Sequence, residues 1–353
     1  MRNFIVILIG LGSLLLLAKC TQTQKGVSVN ISEAPFERLS QYHFFVGDPS
    51  ALQPNTGVLP YDLNTPLFSD YAHKARFVWL PPGTSAAYTT DHVLDFPVGA
   101  VLIKNFYFEK DERDPATERR LIETRLLVHR ESGWEAHSYI WNARQTDAEL
   151  DIVGDIVAID WTNTEGQAMH ADYIIPNKNQ CKGCHSYKQK LEPIGPKVRN
   201  LNRSFAYADG TSNQLEKWAE TGYLTGFDPA AQHPKAAVWN APNEYPLHQR
   251  ATAYLDINCG HCHNPFGPGG TTGLNLVYGA PIDLNLGVNK PPVATGRASG
   301  GRSYSIVKGA PDQSILLYRM ESDETGVMMP ELGRTMVHAE GISLIREWIQ
   351  NME

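Results

Sequence analysis

The chain has 353 residues, of which 42% are hydrophobic and 20% charged, with a formal net charge of −7. That length exceeds one ordinary domain, and that composition supports packed cores rather than wholesale disorder. No basic run and no basic excess is present, which argues against nucleic acid as a partner.

At the N-terminus, Arg2 precedes an apolar run of fifteen residues, Phe4 to Ala18. Spanning a bilayer takes about 20 such residues, so residues 1–20 read as an export signal. Cys20 stands alone directly after the run, in Leu17-Ala18-Lys19-Cys20. This tetrapeptide resembles a bacterial lipobox, whose cysteine is lipidated and becomes the mature N-terminus. Lys19 departs from the small residue of that pattern. The alternative is cleavage by an ordinary signal peptidase, with Cys20 removed or left free. The expected location is the periplasm or the outer membrane, in the second case by a lipid anchor on Cys20. Residues 21–57 read as a linker that gains order towards Pro35-Phe36.

From 58 to 172 the pattern is that of strands. Val101 to Phe108 is apolar, aromatic and β-branched, and Leu121–His129 and Trp134–Trp141 flank a turn at Arg130-Glu131-Ser132-Gly133. Ile152 to Trp161 is a further strand broken at Gly154. A β-rich domain, sandwich or barrel, is expected. Its aromatic residues, among them Trp79, Tyr88 and Trp134, read as core or sheet-face packing, with a carbohydrate- or protein-binding face as the alternative.

After Pro176 the texture turns to loops and short helices. Apolar periodicity predicts helices over Asn213–Thr221, His248–Asn258, Ser314–Glu321 and Ala339–Asn351. The fold class expected is therefore multidomain: a β-rich N-terminal domain followed by two mostly α-helical modules, 173–247 and 248–353.

Each module carries one Cys-x-x-Cys-His segment. The first is Cys181-Lys182-Gly183-Cys184-His185 and the second Cys259-Gly260-His261-Cys262-His263, with the two histidines 78 positions apart. Two cysteines three positions apart on one helical turn reach both vinyl groups of a haem, and the next histidine meets the iron from below. The reading is two covalently bound haem c groups, with Cys181, Cys184, Cys259 and Cys262 as attachment points and His185 and His263 as iron ligands. A four-cysteine zinc site and a redox-active disulfide pair are the rivals, but each pair is followed by histidine, and the separation far exceeds the roughly 15–20 residues usual in zinc ribbons. His261, a variable position of the second motif, is expected to face solvent.

The last hundred residues resemble the class I cytochrome c domain. The resemblance runs through Asn258 to His263, the Gly-rich Phe266–Gly270 loop, Met328-Met329-Pro330-Glu331-Leu332-Gly333 and the terminal helix. It implies that Met329, 66 positions after His263, is the distal ligand, with Met328 as runner-up. No methionine lies between His185 and Cys259. The sixth ligand of the first haem is left among His233, His248, the Met169-His170 pair, a β-domain residue such as His137, or none. Lys197, Arg199, Arg203 and Arg302 read as surface charges, with haem propionates as their alternative partners.

Taken whole, residues 58–352 resemble exported bacterial dihaem c-type cytochromes with a β-rich N-terminal domain. Pro60 to Ala72, Phe96-Pro97-Val98-Gly99, Ile175 to Cys181 and the Met329 loop carry the likeness. The resemblance implies the layout and the haems but no substrate. Electron transfer between redox protein partners is the leading function. An open first haem acting on peroxide or another small ligand, and a β domain that binds a carbohydrate or protein, are the alternatives.

Overall fold

The computed structural model describes residues 24–114 and 117–353, so the stretch expected to be an export signal, residues 1–20, and Cys20 lie outside the described residues. The frame is a six-stranded antiparallel sheet in the order β1-β2-β4-β5-β6-β7. Its strands are β1 (Val58–Tyr61), β2 (His73–Trp79), β4 (Val101–Glu109), β5 (Arg119–Arg130), β6 (Gly133–Trp141) and β7 (Ala148–Asp151). The two-residue β3 (Ala86–Ala87) lies apart and pairs with Leu224–Thr225. Gly154 then breaks the chain, and β8 (Asp155–Thr162) and β9 (Ala168–Ile175) form a separate hairpin. The sheet is open at both edges, so it is neither the barrel nor the sandwich of two full sheets that the sequence suggests.

Strand alternation gives this sheet two buried faces. On one face Ile103, Leu126, Val128 and Tyr139 pack against Leu39, Tyr42, Phe44 and Leu52. Part of the stretch read as a linker is therefore core. Its four large apolar side chains cover a sheet face that would otherwise meet water. On the other face Val78, Leu80 and Leu102 meet Val198, Leu201, Leu215 and Trp218 from beyond the second hairpin.

The C-terminal half departs from the expected fold class. Among the described residues the chain holds six α-helices, of four to twelve residues: α1 (Lys178–His185), α2 (Val198–Leu201), α3 (Gln214–Glu220), α4 (Leu247–Leu255), α5 (Ile315–Glu321) and α6 (Ala339–Gln350). Long loops join them, so the chain is predominantly β and no mostly α-helical cytochrome module forms. The physical reason is composition: Gly and Pro, 29 and 23 in all, punctuate the tail too often for long helices. The core of the tail is centred where α4 and α6 cross, with Tyr254, Leu255, Leu344, Ile345, Trp348 and Ile349 buried together.

Candidate functional site

The first motif is set by a helix start. The Asn177 side chain accepts from the backbone N–H groups of Asn179 and Gln180, at 3.0 and 2.9 Å, which caps α1. Cys181 and Cys184 fall three apart on α1, and His185 ends it. The second motif follows α4 directly, through a π-helical turn over Asp256–Gly260 that holds Cys259. Gly260 is needed there, since a Cβ would lie 2.8 Å from the Leu276 carbonyl oxygen.

The two motifs converge. Cys181, Cys184 and His185 share one cavity of about 610 Å³ with Cys259, His261 and Met329. A second cavity, of about 390 Å³, is also lined by Cys184, His185 and His261. Cys262 and His263 are not among the residues that line either cavity. Cys262 donates a hydrogen bond to Cys184, which pulls the Cys184 thiol down in pKa and pushes that of Cys262 up. His261 adds a second hydrogen bond to Cys184. It is half-buried between the two cavities and does not point to solvent as expected; nothing in the spacing of the motif marks it.

Both motif histidines are neutral and have an assigned tautomer. Burial pushes His185 and His263 down to about 4. The Nδ1 of His185 lies 2.8 Å from the Glu192 carbonyl oxygen, which only accepts, so Nδ1 carries the hydrogen. The Nδ1 of His263 lies 3.1 Å from Thr272 Oγ1, whose own hydrogen goes to the Gly269 carbonyl at 2.6 Å. Each Nε2 is thus left with a lone pair. Burial pushes Cys259 up to about 12 and Cys181 upward as well, so both stay thiols.

Met329 is brought to the cavity by a loop tied from below. The Arg334 guanidinium, 4% exposed, donates to the carbonyls of Met329 and Ser322 at 2.9 and 2.8 Å. The backbone N–H groups of Thr335 and Met336 both donate to Asp70, at 2.7 Å each. Asp70 belongs to the Pro60–Ala72 stretch, whose Phe68 N–H donates to Asn258 in the second motif at 2.8 Å. That stretch therefore links the sheet to both the second motif and the methionine loop.

Of the other residues weighed for the first motif, His137 lines the cavity, buried and with Nε2 lacking a hydrogen-bond partner. His233 is engaged by Tyr88 and the Asp228 carbonyl, His248 by Trp348, and His170 is exposed beside Asp160. Lys197 and Arg199 are not surface charges; both sit beside the buried Asp256. Arg203 pairs with Asp62, and Arg302 lies over the Tyr318 ring.

Two separate haem modules are not what this chain builds, and the expectation of two covalently bound haem c groups is corrected accordingly. The motif segments meet each other, Cys184 against Cys262, rather than each framing its own space within a helical domain. Among the described residues no group of three or more histidine, cysteine, aspartate or glutamate side chains gathers to hold a metal ion. Comparison with known proteins finds no family model, no curated protein and no solved structure that matches the chain. The likeness to exported dihaem c-type cytochromes is corrected with it, since its C-terminal half is not a helical cytochrome.

Two histidines outside the motifs, the buried His137 and the partly buried His338, give the fold an acid limit. Burial pushes His338 down to about 4 and lowers His137 as well. A histidine with a lowered folded pKa binds fewer protons folded than unfolded. Its contribution is present above the unfolded value, about 6.5, and is lost as pH falls from there through about 4. The expected outcome is a free energy of urea unfolding that falls between pH 7 and pH 5, by up to about 1.4 kcal/mol per pH unit for each histidine. A His338→Gln variant is expected to lose less on acidification than the parent; an equal loss contradicts the assignment.

Proposed function

We propose that the chain is an exported electron-transfer protein that passes electrons between redox partners, with its redox centre in the cavity shared by the two Cys-x-x-Cys-His segments. The observation that carries this reading is their convergence. Segments 78 positions apart bring sulfur and imidazole donors to one enclosed space, with a methionine loop fixed over it. Cysteine sulfurs that meet across the two segments, Cys184 against Cys262, can themselves be oxidised and reduced. A buried surrounding limits solvent rearrangement around that centre and tunes its potential. On this reading the export signal delivers the chain to the periplasm or outer membrane, with Cys20 as its lipid attachment.

The test is voltammetry on the full chain, produced through an export pathway, with Cys184→Ser and Met329→Leu compared with the parent. The expected result is a reversible response in the parent that Cys184→Ser abolishes and Met329→Leu shifts in potential. A response unchanged in both variants places the centre elsewhere. A thiol count on the unfolded parent, before and after reduction, then shows whether the four sulfurs are themselves oxidised and reduced.

A further inference from the structure

The sheet wall of the cavity carries a row of basic side chains that the protein itself neutralises only in part. Arg76 on β2, Lys104 on β4 and Arg125 on β5 are directly opposite one another in the strand register, with Ser138 of β6 continuing the row. All four line the 610 Å³ cavity. Like charges directly opposite across strands are destabilising, so three in succession are a cost that something must offset. Two acids offset part of it. Asp62 accepts from Arg76 Nη1 at 2.6 Å, and the fully buried Glu123 takes the Arg125 fork. Lys104 has no ion pair among the described residues and lies 4.6 Å over the Phe106 ring. Arg76 is 5% exposed, and its Nη2 has no hydrogen-bond partner. A buried donor left unpaired costs about 1–3 kcal/mol. Lys74, two residues before Arg76 on the same strand face, adds a further positive charge. The ammonium groups of Lys74 and Lys104 are both pushed down, by burial first and by these neighbouring cations next.

We propose that this row is an anion site that takes the carboxylate of an organic molecule seated in the cavity. Arg76 Nη2 and the Lys104 ammonium are the two free donors, and Leu102, Leu127 and Ala136 on the same wall take an apolar body. Charge-assisted hydrogen bonds from guanidinium and ammonium favour carboxylate, and an anion there would restore the charge of Lys104. The carboxylate belongs either to a group that stays bound or to a diffusible organic acid. The site stands on the charges of the sheet and does not depend on electron transfer.

The experiment uses the full chain. Exhaustively dialysed protein is unfolded, and the released small molecules are read by mass spectrometry; the same dialysed protein is titrated with adipate against chloride at matched ionic strength. A released organic carboxylate identifies a resident group, and saturable adipate binding identifies an exchangeable acid. In Lys104→Met, retention or affinity is expected to fall about tenfold or more. Its thermal midpoint is expected to hold or rise, because a desolvated amine without an ion pair is replaced by an apolar side chain. Neither release nor binding in the parent, or undiminished binding in Lys104→Met, overturns the proposal. Failure here with a reversible redox response intact removes the anion site alone; loss of that response with adipate bound removes electron transfer alone.

Discussion

Replacement of Asp256 by alanine is expected to destabilise the chain by about 3–5 kcal/mol, the usual consequence of removing one partner of a buried ion pair. Asp256 is 4% exposed and receives Arg199 through Nε at 3.2 Å and Nη2 at 2.8 Å, with Lys197 Nζ at 3.9 Å. Burial pushes its carboxyl up in pKa, but Lys197 and Arg199 outweigh this and hold it below the usual range. Alanine there leaves two cations out of water without a counter-charge. Asp256 lies three residues before Cys259, and Arg199 lies on α2 beyond the first motif, so the pair also ties the two motif segments together. Urea unfolding of the parent and Asp256→Ala at pH 7 measures the loss. An acid with a lowered folded pKa contributes above its unfolded value, about 3.9, and loses that contribution as pH falls through the folded one. The gap between the two proteins should therefore close in acid below about pH 4. A loss under about 1 kcal/mol at pH 7 contradicts the pair's role, since that is the range of exposed ion pairs.

Arg334→Ala is expected to cost about 2–4 kcal/mol and to disturb the methionine loop. The guanidinium donates to the Met329 and Ser322 carbonyls and, at 3.1 Å, to that of Met336. Its loss leaves buried carbonyls unpaired, at about 1–3 kcal/mol each where water cannot reach them. Arg334→Lys keeps the charge but offers one compact head instead of a planar fork, and should lose nearly as much. In thermal unfolding both variants should melt below the parent. In voltammetry both should shift or broaden the response, because Met329 is no longer fixed over the cavity. A normal midpoint with a normal response contradicts the anchoring role.

Much of the sheet was legible in the sequence because alternation and turn chemistry act locally. Val101–Phe108 and the hairpin about Arg130–Gly133 appear as β4, β5 and β6, and Gly154 does break the chain ahead of β8. The four helices read from apolar spacing appear within a few residues of their expected bounds, the second continuing into the π-helical turn. What was lost is what depends on contacts distant in sequence. Leu39, Tyr42 and Phe44 sit among polar neighbours with no regular period, so their burial on the sheet is invisible until the sheet exists. The row Arg76-Lys104-Arg125 needs strand register, which three separate segments do not reveal. The convergence of the two motifs likewise depends on how α1 and the π-helical turn pack, and reading each motif with its own flanks led to two separate modules. The readings of residues 1–20 as an export signal and of Cys20 as a lipid attachment fall on residues outside the described ones.

Electron transfer at the shared cavity is tested most directly by a mediated redox titration of the full-length chain produced through an export pathway. The expected result is reversible uptake and release of electrons in a stoichiometric amount per chain, at a potential moved by Met329→Leu. A folded chain that takes up no electrons across the working range of the mediators contradicts it.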